Sequence, residues 1–231
     1  MIDFGSNDSL SLSSSGALST ALLHELQKNP GFTIGSTSSR ILDGTRRYLE
    51  DIERGLARFH RAESAMFYDS GYNANVAVWS PVPQPGDFVV YDEYVHASIH
   101  DGLRQGRAIT VPFKHNDCES LRNCLKDIQA EHPSVSEGKH VVFISLESFY
   151  SVDGDKAPIR EIVDVVRDVL PRGNYVLAID EAHSNGVVGP NGSGFICHYG
   201  LEGDFGIRTY TCGKGLGSAG GKNHHSVFLS L

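Results

Sequence analysis

No apolar run in this chain approaches the ~18 residues that a membrane-crossing helix needs, and Met1-Ile2-Asp3 opens no basic leader. The four cysteines, Cys118, Cys124, Cys197 and Cys212, form no C-x-x-C pair and no metal-type spacing. That excludes a zinc ribbon or a disulfide framework and fits free thiols in a reducing compartment. Positive charge is also short: 20 Lys and Arg stand against 28 Asp and Glu, a formal net charge of -8. Nucleic acid and anionic membranes both ask for a basic face, so neither is expected as principal partner. Backbone N–H groups can still hold a phosphate locally in an acidic protein. No internal repeat or low-complexity linker interrupts the chain, and an intracellular, soluble protein is expected.

What is present suits one globular domain, or one with a small appendage: 231 residues, 40% of them apolar. A serine-rich lead-in over residues 1–15 is expected to lie against the body, followed by an amphipathic helix over Ser14 to Lys28 through Leu18, Leu22, Leu23 and Leu26. Thr45 predicts the N-cap of a second helix, with Leu49, Ile52, Leu56 and Phe59 on one stripe. From Ala65 onward short apolar runs predict strands at Ala65–Tyr68, Asp87–Tyr91, Ala108–Pro112, His140–Leu146, Tyr175–Ile179 and Ile207–Thr211. Helical patterns separate several of them, one after Asn116-Asp117 through Leu121, Leu125 and Ile128, another after Pro158 through Ile162, Val166 and Leu170. Alternating β and α units predict an α/β fold of three layers, a mostly parallel sheet between two sets of helices. In such sheets ligands bind beyond the carboxyl ends of the strands.

The stretch Thr211-Cys212-Gly213-Lys214-Gly215 sets one Lys in a Gly-rich turn directly after a strand. Flanking glycines permit close approach of backbone to a ligand. Gly215 to Gly220 spells G-x-G-x-x-G, but only eleven residues follow, too few for the helix, strand and acidic residue of a dinucleotide site. A P-loop fails because Lys214 is followed by Gly215 rather than Ser or Thr. A Schiff-base Lys holding pyridoxal phosphate remains, a chemistry that also demands a carboxylate for the pyridine nitrogen. The bland alternative is a solvated loop Lys.

Asp180 ends an apolar strand where such a carboxylate is wanted, with His183 three residues on. An Asp that merely caps the next turn is the common alternative. Ser70-Gly71-Tyr72 follows the first strand and opens a helix, so the N–H groups of Gly71 and Tyr72 make an anion site, or simply a strand-to-helix turn. His96 follows the second strand and can lie flat on an aromatic ring, while Ser98 and Asp101 read as helix-start chemistry. His100 shares a helical face with His96, yet with no third ligand nearby a metal is the poorer reading. Ser151, after the fourth strand, can donate to a phenolate-type oxygen.

Taken in order, Ser36-Thr37-Ser38-Ser39-Arg40, Ser70 to Asn75, Val95-His96-Ala97-Ser98-Ile99, Tyr150 to Asp155, Asp180-Glu181-Ala182-His183-Ser184 and Thr211 to Gly215 resemble the α-oxoamine synthases, fold-type I pyridoxal-phosphate enzymes. The resemblance covers nearly the whole chain up to Gly221. It implies pyridoxal 5'-phosphate as cofactor, with Lys214 as the Schiff-base lysine, Asp180 on the pyridine nitrogen and His96 stacked on the ring. It further implies His183 and Ser151 at the ring oxygen, and Thr211 with the amides of Gly71 and Tyr72 at the phosphate. The implied reaction joins a small amino acid to an acyl-CoA with loss of carbon dioxide, and the nearest branch joins alanine to pimeloyl-CoA in biotin synthesis. A homodimer is implied as well.

On that resemblance residues 1–44 are an N-terminal arm and helix, 45–221 the cofactor-binding large domain, and 222–231 a tail that departs from the family. The C-terminal small domain of the family, with its Arg for the substrate carboxylate, has no counterpart in the chain. The rival functions are an aminotransferase on the same scaffold and a non-catalytic remnant that binds cofactor or a full-length partner.

Overall fold

Each of the six apolar runs forms a strand in the computed structural model, which describes residues 5–33, 35–218 and 225–229. They are β1 (Met66–Tyr68), β2 (Phe88–Asp92), β3 (Ile109–Phe113), β4 (Val142–Glu147), β5 (Tyr175–Asp180) and β6 (Phe205–Thr211). A seventh, β7 (His225–Leu229), comes from the segment set apart by sequence as a divergent tail and lies between β1 and β6, antiparallel to both. Its backbone belongs to the sheet because it pairs along both edges, a non-local property that the sequence pattern does not carry. The Gly221 boundary and residues 219–224 lie outside the described residues, as do Met1–Asp3.

Strand order is β1-β7-β6-β5-β4-β2-β3, and β3, β2, β4, β5 and β6 are mutually parallel. Every residue of β4 is buried, as expected for a central parallel strand covered on both faces. β3 is an edge strand, half open to solvent, and it carries Pro112, which can donate nothing to a further strand. The chain leaves β2 toward β3, then resumes at β4 on the other side of β2 and runs on to β5 and β6. Right-handed crossovers in opposite directions place connecting helices on opposite faces. α3 (Gly71–Trp79) packs with α4 (Ala97–Gln105), and α5 (Cys118–Glu131) packs with α7 (Ile159–Val169). The result is three layers, helices on both sides of a mostly parallel sheet. Short helices α6 (Pro133–Ser136) and α8 (Phe195–Tyr199) complete this part of the chain.

Caps follow the residues. Asp117 accepts from Ser120 N at 2.9 Å and starts α5; Ser70 accepts from Asn73 N at 2.9 Å and starts α3. The expected cap at Thr45 does not form: Arg46 takes that place at α2 (Arg47–Phe59), and the Thr45 hydroxyl donates instead to the Arg40 carbonyl at 2.8 Å. α1 (Ala17–Lys28) exists as expected, but none of its residues is buried, and Leu22 and Leu23 are 60% and 62% exposed. The lead-in does meet the body near Gly217, where an added Cβ would come within 3.2 Å of Asp8 Oδ1 and Leu12 Cβ.

Candidate active site

Five strands deliver polar residues to one end of the sheet because each ends where its apolar run ends. Beyond those carboxyl ends lies a cavity of about 240 Å³ lined by Gly71, Tyr72, His96, Asp180, Thr211 and Lys214 together with Ser70, Asn75, Ser98, Glu147, Ala182 and Thr209. Six of the eight residues expected from sequence are thus brought together. His183 stands just behind, its Nε2 2.7 Å from Lys214 Nζ. Ser151 does not line the cavity; it sits exposed in the turn after β4.

Asp180 is 7% exposed and accepts from Asn75 Nδ2 at 2.8 Å and from Ala182 N at 2.9 Å. Glu147 pairs with Asp180 in register at the end of β4, so the two carboxyl groups emerge on the same face. Burial raises the Glu147 carboxyl well above the ordinary range, and the neighbouring Asp180 charge adds to that rise. The amide of His96 opposes it by donating to Glu147 Oε1 at 2.5 Å, and Lys214 opposes it through its charge.

The Lys214 amine is held below its ordinary range by burial, although Asp180 and Glu147 pull the other way. His183 is depressed as well, first by burial and then by the Lys214 charge. The loop that carries Lys214 packs close on residues 185–187. Gly186, at φ 85°, leaves the room that Leu216 fills; a Cβ there would lie 2.8 Å from Leu216 Cδ2.

On the far wall His96 itself caps α4, its Nδ1 accepting from Ser98 N at 3.2 Å. Ser98, read from sequence as helix-start chemistry, is instead fully buried and bonded to His96 Nδ1 at 2.7 Å and Asn75 Nδ2 at 3.0 Å. Asp101 pairs with Arg104 and with the Tyr72 hydroxyl. Asn75 Oδ1, buried, has no hydrogen-bond partner among the described residues. The first-turn amides of α3 point out of the helix end, as such groups do, with no intrahelical acceptor.

Asn75, Ser98, Glu147 and Thr209 carry no expected ligand role in the sequence reading. Glu147 ends β4 as Asp180 ends β5, so the strand-end rule extends to it. Asn75 lies one helical turn after Gly71 on α3. Nothing local in the sequence marks Thr209, which faces Asp180 across β5 and β6.

A family model described as Aminotransferase class I and II matches residues 1–222. The chain is 47% identical over 221 residues to an 8-amino-7-oxononanoate synthase from Emericella nidulans, covering 95% of this chain and 54% of that protein. It is 42% identical over 220 residues to aminoacyl transferase sphA from Byssochlamys spectabilis, covering 95% and 47%. A solved serine palmitoyltransferase from S. paucimobilis, with a bound PLP–myriocin aldimine, superposes with a TM-score of 0.81 at 30% identity. That match covers 98% of this chain and 54% of the other. The chain therefore spans about half the length of the relatives it matches.

Proposed function

The chain belongs to the aminotransferase class I and II family, and from that premise we propose that its cavity holds pyridoxal 5'-phosphate for an α-oxoamine synthase reaction. The residues fit the group: an amine, a carboxylate and a helix N-terminus, which would meet its aldehyde, pyridine nitrogen and phosphate, line one cavity. Buried Asn75 Oδ1, still without a partner among the described residues, adds an acceptor beside them. When bound, the cofactor supplies an electron sink for charge developing on the substrate Cα.

The chain's own residues supply the rest. Lys214 Nζ would hold the cofactor's aldehyde, and burial, which lowers its basicity, suits the same amine to hold or take a proton at the substrate Cα. His183, 2.7 Å away, can hold or pass on that proton. Asp180, fixed by Asn75 and Ala182, presents a carboxylate to the pyridine nitrogen. His96 is held by Ser98 for stacking on the ring. Gly71 and Tyr72 with Thr211 are assigned to the phosphate. His183 and Ser151 are assigned to the ring oxygen, which for Ser151 requires its turn to move toward the cavity.

The observation that carries this reading is that Asp180, at the end of β5, and Lys214, in the loop after β6, line the same cavity. The substrates proposed are a small amino acid and an acyl-CoA, joined with decarboxylation by a homodimer. Alanine and pimeloyl-CoA, the 8-amino-7-oxononanoate synthase pair, are the first to try, supported by the relative of that name at 47% identity. Titration with pyridoxal 5'-phosphate, with the excess then removed, tests the site: a protein-bound absorption band shifted from that of the free cofactor is expected in the wild type and is expected to be missing in Lys214→Ala. Coenzyme A release with alanine, rather than serine, as amino acid then tests the substrate. Amino-group transfer to a keto acid without a thioester overturns the reaction in favour of an aminotransferase.

A further inference from the structure

Away from the cavity, the ends of β2, β3 and β4 are tied together through one imidazole. His115 follows β3. Its Nδ1 lies 2.8 Å from Asp92 Oδ1 and its Nε2 3.0 Å from Asp155 Oδ2. Tyr94 stacks on the ring at 4.3 Å between centroids, and Tyr150 meets it edge-on at 4.5 Å. Asp92 is fully buried at the end of β2 and accepts from two amides, Tyr94 N on Oδ1 and Asn116 N on Oδ2, both at 2.9 Å. Asp155 Oδ2 also accepts from Asn116 Nδ2 at 2.9 Å.

Asn116 Nδ2 also lies 3.1 Å from His115 Nε2, where it could donate to a neutral ring. A neutral imidazole has only one N–H to give, so with Asp92 and Asp155 both ionised it is the imidazolium that donates to the two carboxylates together. The same charge answers Asp92, a fully buried carboxylate that has no other cation against it among the described residues.

Asp155 closes a tight turn. Tyr150 N donates to its carbonyl at 3.0 Å, Gly154 N donates to the Tyr150 carbonyl at 2.9 Å, and Phe149 bridges to Lys156. At the base of the turn the Tyr150 hydroxyl accepts at 3.2 Å from the amide of Glu147, a residue that lines the cavity. At its tip sits Ser151. We propose that His115 is a positioning residue: gripped as an imidazolium by Asp92 and Asp155, it fixes the Tyr150–Asp155 turn, which reaches the cavity lining through Glu147, and lets it loosen on losing a proton. Only the part that concerns Ser151 rests on the cofactor reading above.

The groups facing the ring agree in sign. Burial opposes the charge, but Asp92 and Asp155 outweigh it and hold His115 above the ordinary histidine range. Glu93, after β2, adds a third carboxylate, bonded to His115 N at 2.9 Å. The phenols of Tyr94 and Tyr150 complete the surroundings, while Lys114 and Asp117 flank it in sequence and Asp117 is engaged in capping α5.

Amide hydrogen exchange of the 149–156 segment in the cofactor-free chain, followed from about pH 6 to about pH 9, tests the proposal across the range where a raised histidine titrates. After correction for intrinsic exchange, protection is expected to fall severalfold in the wild type as His115 deprotonates. That step should vanish in His115→Gln and, if this variant does not fold, in Asp155→Asn, whose carboxylate is 43% exposed. Flat protection in the wild type, or a step that survives in the variants, overturns it. A protein that shows the step yet never takes up pyridoxal 5'-phosphate supports the clamp and overturns the cofactor reading instead.

Discussion

Two carboxyl groups side by side at the ends of β4 and β5 are costly unless one keeps its proton, and the pair makes this corner pH-sensitive. Glu147 is the member raised, from an ordinary 4.5 to about 8, by burial first and by Asp180 second. In that window the folded chain holds a proton that the unfolded chain has released, so this residue's contribution to stability declines as pH rises from 4.5 toward about 8. Glu147→Gln is expected to flatten that decline, measured as urea unfolding free energy across the same pH range; an unchanged slope would contradict the assignment. Lys214 and Asp180 were legible in the sequence because a lone amine in a glycine turn and a carboxylate closing an apolar run are local signals. Ser151 was legible too, but its distance from the cavity was not: the turn it occupies is set by Asp155 and His115.

At the scale of elements, the site depends on how closely α3 and α4 approach. Gly102 on α4 faces Trp79 and the α3 backbone, and a Cβ there would lie 2.7 Å from Trp79 Cβ and 3.2 Å from the Asn75 carbonyl. Gly102→Ala must push the helices apart. Overpacking of this kind costs about 1–3 kcal/mol, and here it also strains the Asn75 contacts to Ser98 and Asp180. Chemical denaturation should show the loss, and cofactor affinity should fall with it. Elsewhere the elements are joined by groups that no periodicity marks. Arg208 of β6, fully buried, donates to the carbonyls of His60 and Arg61 at the end of α2. Glu181 accepts from the first amides of α8, and burial lifts its carboxyl to about 7. Both would be read from sequence as surface charges.

Across the whole molecule, burial is uneven, and stability should follow it. Leu125 of α5 is fully buried in the central core, whereas Leu23 of α1 is 62% exposed. Leu125→Ala is expected to cost about 2–5 kcal/mol; Leu23→Asp should alter the chain's own unfolding by no more than about 0.5 kcal/mol. Thermal or urea unfolding of the two variants checks the contrast. Among the described residues no helix is long and apolar enough to cross a membrane. The sequence by itself determined the α/β alternation, the six strands from β1 to β6, most helix positions, and which residues close each strand, because period and turn chemistry are local. It also determined the family, through ordered motifs. The tertiary structure alone decided that β7 enters the sheet, that α1 buries nothing, and that Glu147 joins Asp180 while Ser151 stays outside. Those outcomes depend on strand order and on which strand ends adjoin, and pairing between distant segments sets both.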